Sequence, residues 1–244
     1  FGSAHFSYGT ADSGSGGSLS REIKSEKTIS LSSGFRKIRT LNNIHWSNSM
    51  PRLIPPAENF SLINKIIVRF RQLFFSSSIK WWEQRYVSGG NSGKGSYGVL
   101  AEFKAKIINQ FVRESEVKSL IEFGCGDGNQ LMLANYPNYV GLDISKKAVT
   151  ICEEKFINDQ SKNFFLYDPY SFDEKTEQFK ADLALSLDVI YHLVEDDVYS
   201  TYLKHLFGAG IKYVIIYATD KDEPGRFYER HVRHRNFTKD ITMR

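Results

Sequence analysis

A short apolar run that ends in clustered glycines constrains this chain most: residues 119–123 lead into Gly124-Cys125-Gly126-Asp127-Gly128-Asn129. A brief apolar segment bounded by turn residues reads as a strand buried on both faces. Glycines placed directly after it let the backbone turn tightly and let a ligand approach the main chain. The rest of this half of the chain keeps the same rhythm. A helix is expected over residues 99–112, with Leu100, Phe103, Ile107, Ile108 and Phe111 on one side. After the glycine loop a helix begins at 130–134, a strand occupies 139–142 and a helix 146–156. Strands follow at 163–166, 183–187 and 213–217, with a helix near 196–207 between the last two. Apolar strands alternating with helices predict an α/β fold, an open and mostly parallel sheet with helices on both faces.

In such a sheet, ligands bind beyond the carboxyl ends of the strands where the strand order switches. The loop at Glu122-Phe123-Gly124-Cys125-Gly126-Asp127-Gly128 lies at such an end, and Asp143, 19 residues after Gly124, ends the second strand. A carboxylate there is placed to accept two ribose hydroxyls. A pyrophosphate-binding loop has the pattern Gly-x-Gly-x-x-Gly, which requires Gly at 129, where this chain has Asn. Asp127 would also set negative charge beside a pyrophosphate. A cofactor carrying a sulfonium and an ammonium suits this loop better than NAD does.

The same residues carry a family resemblance. Ile121 to Gly128 resembles motif I of the class I, Rossmann-like S-adenosylmethionine-dependent methyltransferases. Val140-Gly141-Leu142-Asp143-Ile144-Ser145 resembles motif II, and residues 181–193 resemble motif IV. The three occur in the family's order within residues 81–235. The resemblance, to the bacterial type, implies a cofactor, S-adenosylmethionine, and a methyltransferase domain over residues 81–244. It assigns Gly124, Gly126 and the neighbouring backbone to the methionine part and Asp143 to the ribose, and it counts Glu122, Cys125, Asp127 and Ile144 among the cofactor-binding residues. Asp168 falls to the adenine, or else is a solvated loop acid. Leu187 and Asp188 fall beneath the methyl donor.

Trp81 to Gly98 is unusual, with five glycines in the ten residues 89–98 and aromatics on both flanks. It resembles the N-terminal cap segment of a methyltransferase group associated with glycan modification. A segment of this composition serves as a lid over the cofactor, with Tyr86 against it, or as a surface loop anchored by aromatics. Methyl transfer to oxygen or nitrogen also needs a proton taken up, and His192, just beyond the fourth strand, is the candidate base. The alternative is a histidine that packs and caps a helix. His231, Arg233, His234 and Arg235 concentrate positive charge beyond the fifth strand, as an anionic acceptor site or a solvated basic loop.

The remaining sequence bounds the reading. Residues 1–18, with five Gly and five Ser, read as a flexible linker or tag. Residues 19–80 form a basic extension, expected to be mostly irregular over 19–58. An amphipathic helix follows at 59–75, where Ile63, Ile66, Ile67, Phe70 and Phe74 share a face. That face packs on its own domain or a partner, or makes a peripheral membrane contact. Residues 1–80 hold 11 Lys and Arg against 4 Asp and Glu, a net of +7, while residues 81–244 hold 21 against 24, a net of −3. The domain is therefore not basic overall, and no nucleic acid partner is expected. Two cysteines, without metal-ligand spacing, suit a cytoplasmic location, and no apolar run reaches membrane-spanning length.

Only 27 residues follow Tyr217, too few for the complete C-terminal edge hairpin of the family beside a short helix at 237–241, so the hairpin is expected to be missing. The chain's first residue is Phe, which suggests a fragment edge. The expected activity is O-methylation of a glycan or small hydroxylated acceptor. The rivals are a catalytically idle binding module that keeps the fold and, behind it, an NAD-dependent oxidoreductase.

Overall fold

The computed structural model describes residues 28–29, 37–40, 77–222 and 231–242. The expected linker at 1–18 and the amphipathic helix at 59–75 lie outside these residues. Strands β1 (Thr28–Ile29) and β2 (Lys37–Thr40) come first, followed by helices α1 (Ser78–Val87) and α2 (Gly98–Glu114). Then come β3 (Leu120–Phe123), β4 (Tyr139–Asp143), α3 (Lys146–Lys155), β5 (Lys162–Leu166) and β6 (Ala181–Leu187). Helix α4 (Asp196–Ala209), β7 (Gly210–Tyr217) and α5 (Phe237–Thr242) complete the order.

The sheet runs β1-β2-β7-β6-β3-β4-β5, and every pairing from β2 to β5 is parallel. Strand β3 is buried at all four positions. It lies between β4 and β6, where the order turns, so the glycine loop sits at the switch point. One apolar layer sets Ile121 and Phe123 against Leu203 and Leu206 of α4. The other sets Leu120, Leu183 and Leu185 against Ile108 of α2 and Val149 of α3.

Three expectations are corrected. The stretch 130–134 does not begin a helix: residues 131–133 make one 3-10 turn, and Met132 and Leu133 are exposed. Pro137 follows closely and disfavours helical geometry at Tyr136, so a longer helix has no room before β4. Helix α2 forms as expected but buries Ala101, Lys104, Ala105, Ile108, Phe111 and Val112. Its inward face is thus rotated from the expected stripe, and Leu100, Phe103 and Ile107 sit only at its margins.

The stretch 19–58 is not wholly irregular. Strand β2 pairs with β7 from Lys37↔Tyr213 to Thr40↔Ile216, and β1 pairs antiparallel with β2. The outer edge of β7 is thereby hydrogen-bonded by an N-terminal segment. The short C-terminal helix occurs where expected, and its Phe237 is fully buried in the α4 layer.

Candidate functional site

The glycine loop is fastened to the neighbouring strand before any ligand is considered. Gly124 and Cys125 both donate backbone N–H bonds to the Leu142 carbonyl, at 2.7 and 3.0 Å. Gly126 donates to Asp143 Oδ2 at 2.9 Å, and Ser145 donates to Asp143 Oδ1 at 2.9 Å. Gly126 has φ 59°, and a Cβ there would run into Ser92 Oγ. Gly124 has φ 85°, and a Cβ there would strike Val189. Both positions therefore require glycine for conformation and for space. Burial pushes the Asp143 carboxyl up to about 6, against the two N–H bonds that favour its charged form.

A cavity of about 710 Å³, counting its open mouth, extends from this loop across the carboxyl ends of β3, β4 and β6. Of the residues expected in a site, Gly124, Gly126, Asp143, Ile144, Leu187, Asp188, Tyr86 and His192 all line it. Among the described residues, two carboxylates, Asp143 and Asp188, line it and no Lys or Arg does. This set fits a cofactor with a ribose, and among the described residues it offers a pyrophosphate no cation.

Four other expected cofactor residues stand elsewhere. Glu122 lies beside the loop but in the core, accepting the Tyr139 hydroxyl at 2.6 Å. Burial raises it to about 7, although Tyr139 and Lys104 favour its charged form. Cys125 is buried next to Cys152, and that contact together with burial holds its thiol well above the usual range. Asp168 is exposed and caps its own turn, accepting from Tyr170 N–H and Ser171 Oγ. Tyr167, one residue earlier, lines the cavity instead.

Asp127 does not line the cavity. Its carboxylate accepts the Tyr97 hydroxyl at 2.7 Å and the N–H groups of Ser92 and Asn129 at 3.1 Å. Burial would raise it, but these bonds outweigh burial and hold it below the ordinary aspartate value. Asp127 N–H returns a bond to Ser92 Oγ at 2.9 Å, and Asn129 Nδ2 donates to the Ser96 carbonyl at 2.7 Å. The acid of the glycine loop thus grips the glycine-rich segment 88–97, whose Ser92 and Ser96 line the cavity.

Helix α1 forms another wall, with Ser78, Ile79, Trp82 and Tyr86 facing inward. Its first turn is tied to Glu195, which accepts Ser78 N–H at 2.8 Å and Ser78 Oγ at 2.5 Å. Its middle is tied to the start of α3, where Ser145 Oγ donates to Glu83 at 2.6 Å. Trp81 stacks on His231 with ring centres 3.8 Å apart, and Trp82 meets His192 edge-on at 4.8 Å.

His192 Nδ1 lies 3.0 Å from the His231 carbonyl. A carbonyl only accepts, so Nδ1 carries the proton in the neutral ring and Nε2 keeps its lone pair. Burial lowers His192 to about 4, against the carbonyl bond that favours the charged form, so the ring is neutral at physiological pH.

The basic cluster does not come together as expected. None of His231, Arg233, His234 and Arg235 lines the cavity. Arg233 and Arg235 instead bind the Val194 carbonyl and Asp196, and Arg235 stacks over Tyr199 at 4.3 Å. His234 bonds to Thr219. Their proximity in sequence serves to clamp the segment onto the loop before α4.

Sequence reasoning missed Lys104, which is fully buried and 2.6 Å from Asp188 Oδ2. A lysine flanked on its helix by buried Ala101, Ala105 and Ile108 was the available signal, because a lysine in an apolar stripe needs a partner. It also missed Ser92, Glu83 and Glu195, whose partners are remote in sequence.

Residues 121–209 match the family model described as a methyltransferase domain. A small RNA 2′-O-methyltransferase of Arabidopsis thaliana is 29% identical over 108 residues, which span 40% of this chain and 12% of that protein. The methyltransferase domain of a bacterial Hen1 superimposes with TM-score 0.45 and 18% identity, covering 57% of this chain and 80% of that one. The N-methyltransferase NodS of Bradyrhizobium japonicum, crystallised with S-adenosylhomocysteine, gives TM-score 0.44 and 14% identity over 55% of this chain and 68% of that one. The similarity to methyltransferase domains falls on residues 121–209, which hold the glycine loop, Asp143, Asp188 and His192. Among the described residues no helix is long and apolar enough to cross a membrane, and no group of three or more potential ligands is placed to hold a metal.

Proposed function

We propose that this protein transfers a methyl group from S-adenosylmethionine to a hydroxyl of a glycan or small hydroxylated acceptor. One observation carries the reading: a single cavity joins Asp143 and the glycine loop to a neutral His192 whose Nδ1 proton is committed to the His231 carbonyl. The cofactor, when bound, supplies an electrophilic methyl group on a sulfonium. Asp143 holds the ribose hydroxyls with the lone pairs left free by Gly126 and Ser145. The glycine loop lets the methionine part lie against the main chain. His192 Nε2 accepts a hydrogen bond from the acceptor hydroxyl, orients it and takes its proton.

Trp82 and Tyr86 give the acceptor side an aromatic wall suited to the apolar face of a sugar ring. The segment 88–97 acts as a lid, latched by Asp127, that excludes water during transfer. The Arabidopsis relative is by name an oxygen methyltransferase, which agrees with a hydroxyl acceptor.

The test combines calorimetry with S-adenosylmethionine and a transfer assay using methyl-labelled cofactor. The assay panel contains hydroxylated sugars, their amino counterparts and a short RNA. The expected result is cofactor binding and label transfer to a sugar hydroxyl, lost in His192→Asn. Tight cofactor binding without transfer to any panel member would favour an idle binding module. Transfer to amine or RNA alone would overturn the acceptor assignment.

A further inference from the structure

Lys104 is a fully buried ammonium in a helix face otherwise made of Ala101, Ala105, Ile108 and their neighbours. Such a charge is costly unless paired. Its partner is Asp188, 2.6 Å away, and the Tyr217 ring lies 5.4 Å from the ammonium. Glu122 is a second carboxylate within electrostatic reach.

Asp188 directly follows β6 with φ 60°, a left-handed conformation unusual for a residue with a side chain. Three contacts hold it there. Its N–H donates to the Tyr217 carbonyl at 2.8 Å, Lys104 binds Oδ2, and the Tyr191 hydroxyl donates to Oδ1 at 3.2 Å. The lid crosses so near that a Cβ on Gly95 would sit 2.5 Å from Oδ2. Asp188 lines the cavity, and Val189, the next residue, packs against Gly124 of the glycine loop.

We propose that Lys104 is a specificity-determining positioning residue: by pairing with Asp188 it neutralises the pocket floor and so sets how strongly the site prefers a positively charged sulfur over an uncharged one. The proposal rests on the cofactor assignment above. Methyl transfer to a hydroxyl removes the positive charge from sulfur. A lone carboxylate on the floor would bind the charged ground state more tightly than the transition state, which slows the step. Pairing with Lys104 removes that bias. Asp143 keeps its charge for the ribose, and an acceptor ammonium gains no attraction from Asp188.

The experiment compares calorimetric affinities for S-adenosylmethionine and S-adenosylhomocysteine, which differ in the methyl group and the sulfur charge. Wild type, Lys104→Met, Asp188→Asn and the double variant are measured, with folding checked by circular dichroism. Lys104→Met is expected to shift the affinity ratio toward the sulfonium by about tenfold. Asp188→Asn shifts it the opposite way, and the double variant returns to within about threefold of wild type. A purely structural role moves both affinities together, so an unmoved ratio in the folded single variants overturns the proposal. If Lys104→Met does not fold, Asp188→Asn and the double variant decide alone by the same criterion. Failure of wild type to bind either compound would defeat the cofactor assignment instead, an outcome distinct from an unmoved ratio.

Discussion

Asp143 reaches the glycine loop across 17 residues of chain, whereas His192 takes its carbonyl partner from 39 residues away and helix α1 is anchored by a carboxylate 117 residues distant. The cofactor side of the cavity is built from one strand-loop-strand unit in continuous sequence. The opposite wall is assembled from α1 and the turn after β6, far apart along the chain, and His192 of that turn is held by the His231 carbonyl. A local unit tolerates changes elsewhere in the fold. A composite wall depends on every anchor.

The largest expected effect lies on the local side. Asp143→Ala should weaken S-adenosylhomocysteine binding on the order of 100-fold by calorimetry, through the loss of two charge-assisted hydrogen bonds. In wild type the same affinity should decline as pH falls through about 6, where Asp143 protonates in the free protein. Cofactor affinity that is flat from pH 8 to 5 would contradict this role.

Breaking the composite side should give the reverse pattern. His192→Asn is expected to reduce methyl transfer about 100-fold while cofactor affinity stays within about threefold. Wild-type turnover should show no acid limb from this ring near 6.5, since it stays neutral until pH approaches about 4. The stability linkage has a defined sign. The unfolded ring binds a proton that the native ring refuses, so the stabilisation is present above 6.5 and is lost as pH falls toward 4.

The latch between the two sides should have an intermediate effect. Asp127→Ala removes the lid bonds from Ser92 and Tyr97 and should speed S-adenosylhomocysteine release about tenfold in stopped-flow displacement, with little change in the fold. An unchanged release rate would mean that the segment 88–97 is not a gate.

The smallest effect belongs to Glu122, behind the loop. Its native carboxyl is raised to about 7, so the native state holds a proton that the unfolded state releases from about 4.5 upward. The associated stability is full below that range and is lost as pH rises through 7. Glu122→Gln should therefore gain a few degrees in melting temperature relative to wild type at pH 8 compared with pH 5. A difference that does not vary with pH would place the charge elsewhere.

The strands, the loop and Asp143 were legible because their signals are local: apolar runs, glycines at positive φ, and a fixed spacing between strand ends. The basic cluster shows the limit of that legibility. Four charged or titratable residues close in sequence looked like a ligand site, yet Arg233 and Arg235 are spent on Val194 and Asp196. Asp127 was legible as important, but its partners, Ser92 and Tyr97, lie 35 and 30 residues away, and they hold its carboxylate away from the cavity lining. The outer edge of β7 pairs with residues 37–40, a pairing that no short pattern announces.

By itself, the sequence determined the parallel sheet, the switch-point loop and the carboxylate that faces it, since strand burial and glycine geometry are properties of a few neighbouring residues. The tertiary structure alone decided which nitrogen of His192 meets a carbonyl, that Lys104 pairs with Asp188, and that α1 and the segment 88–97 wall the cavity. Those outcomes depend on burial and on partners brought together from far along the chain, and charge, tautomer and enclosure exist only once those partners meet.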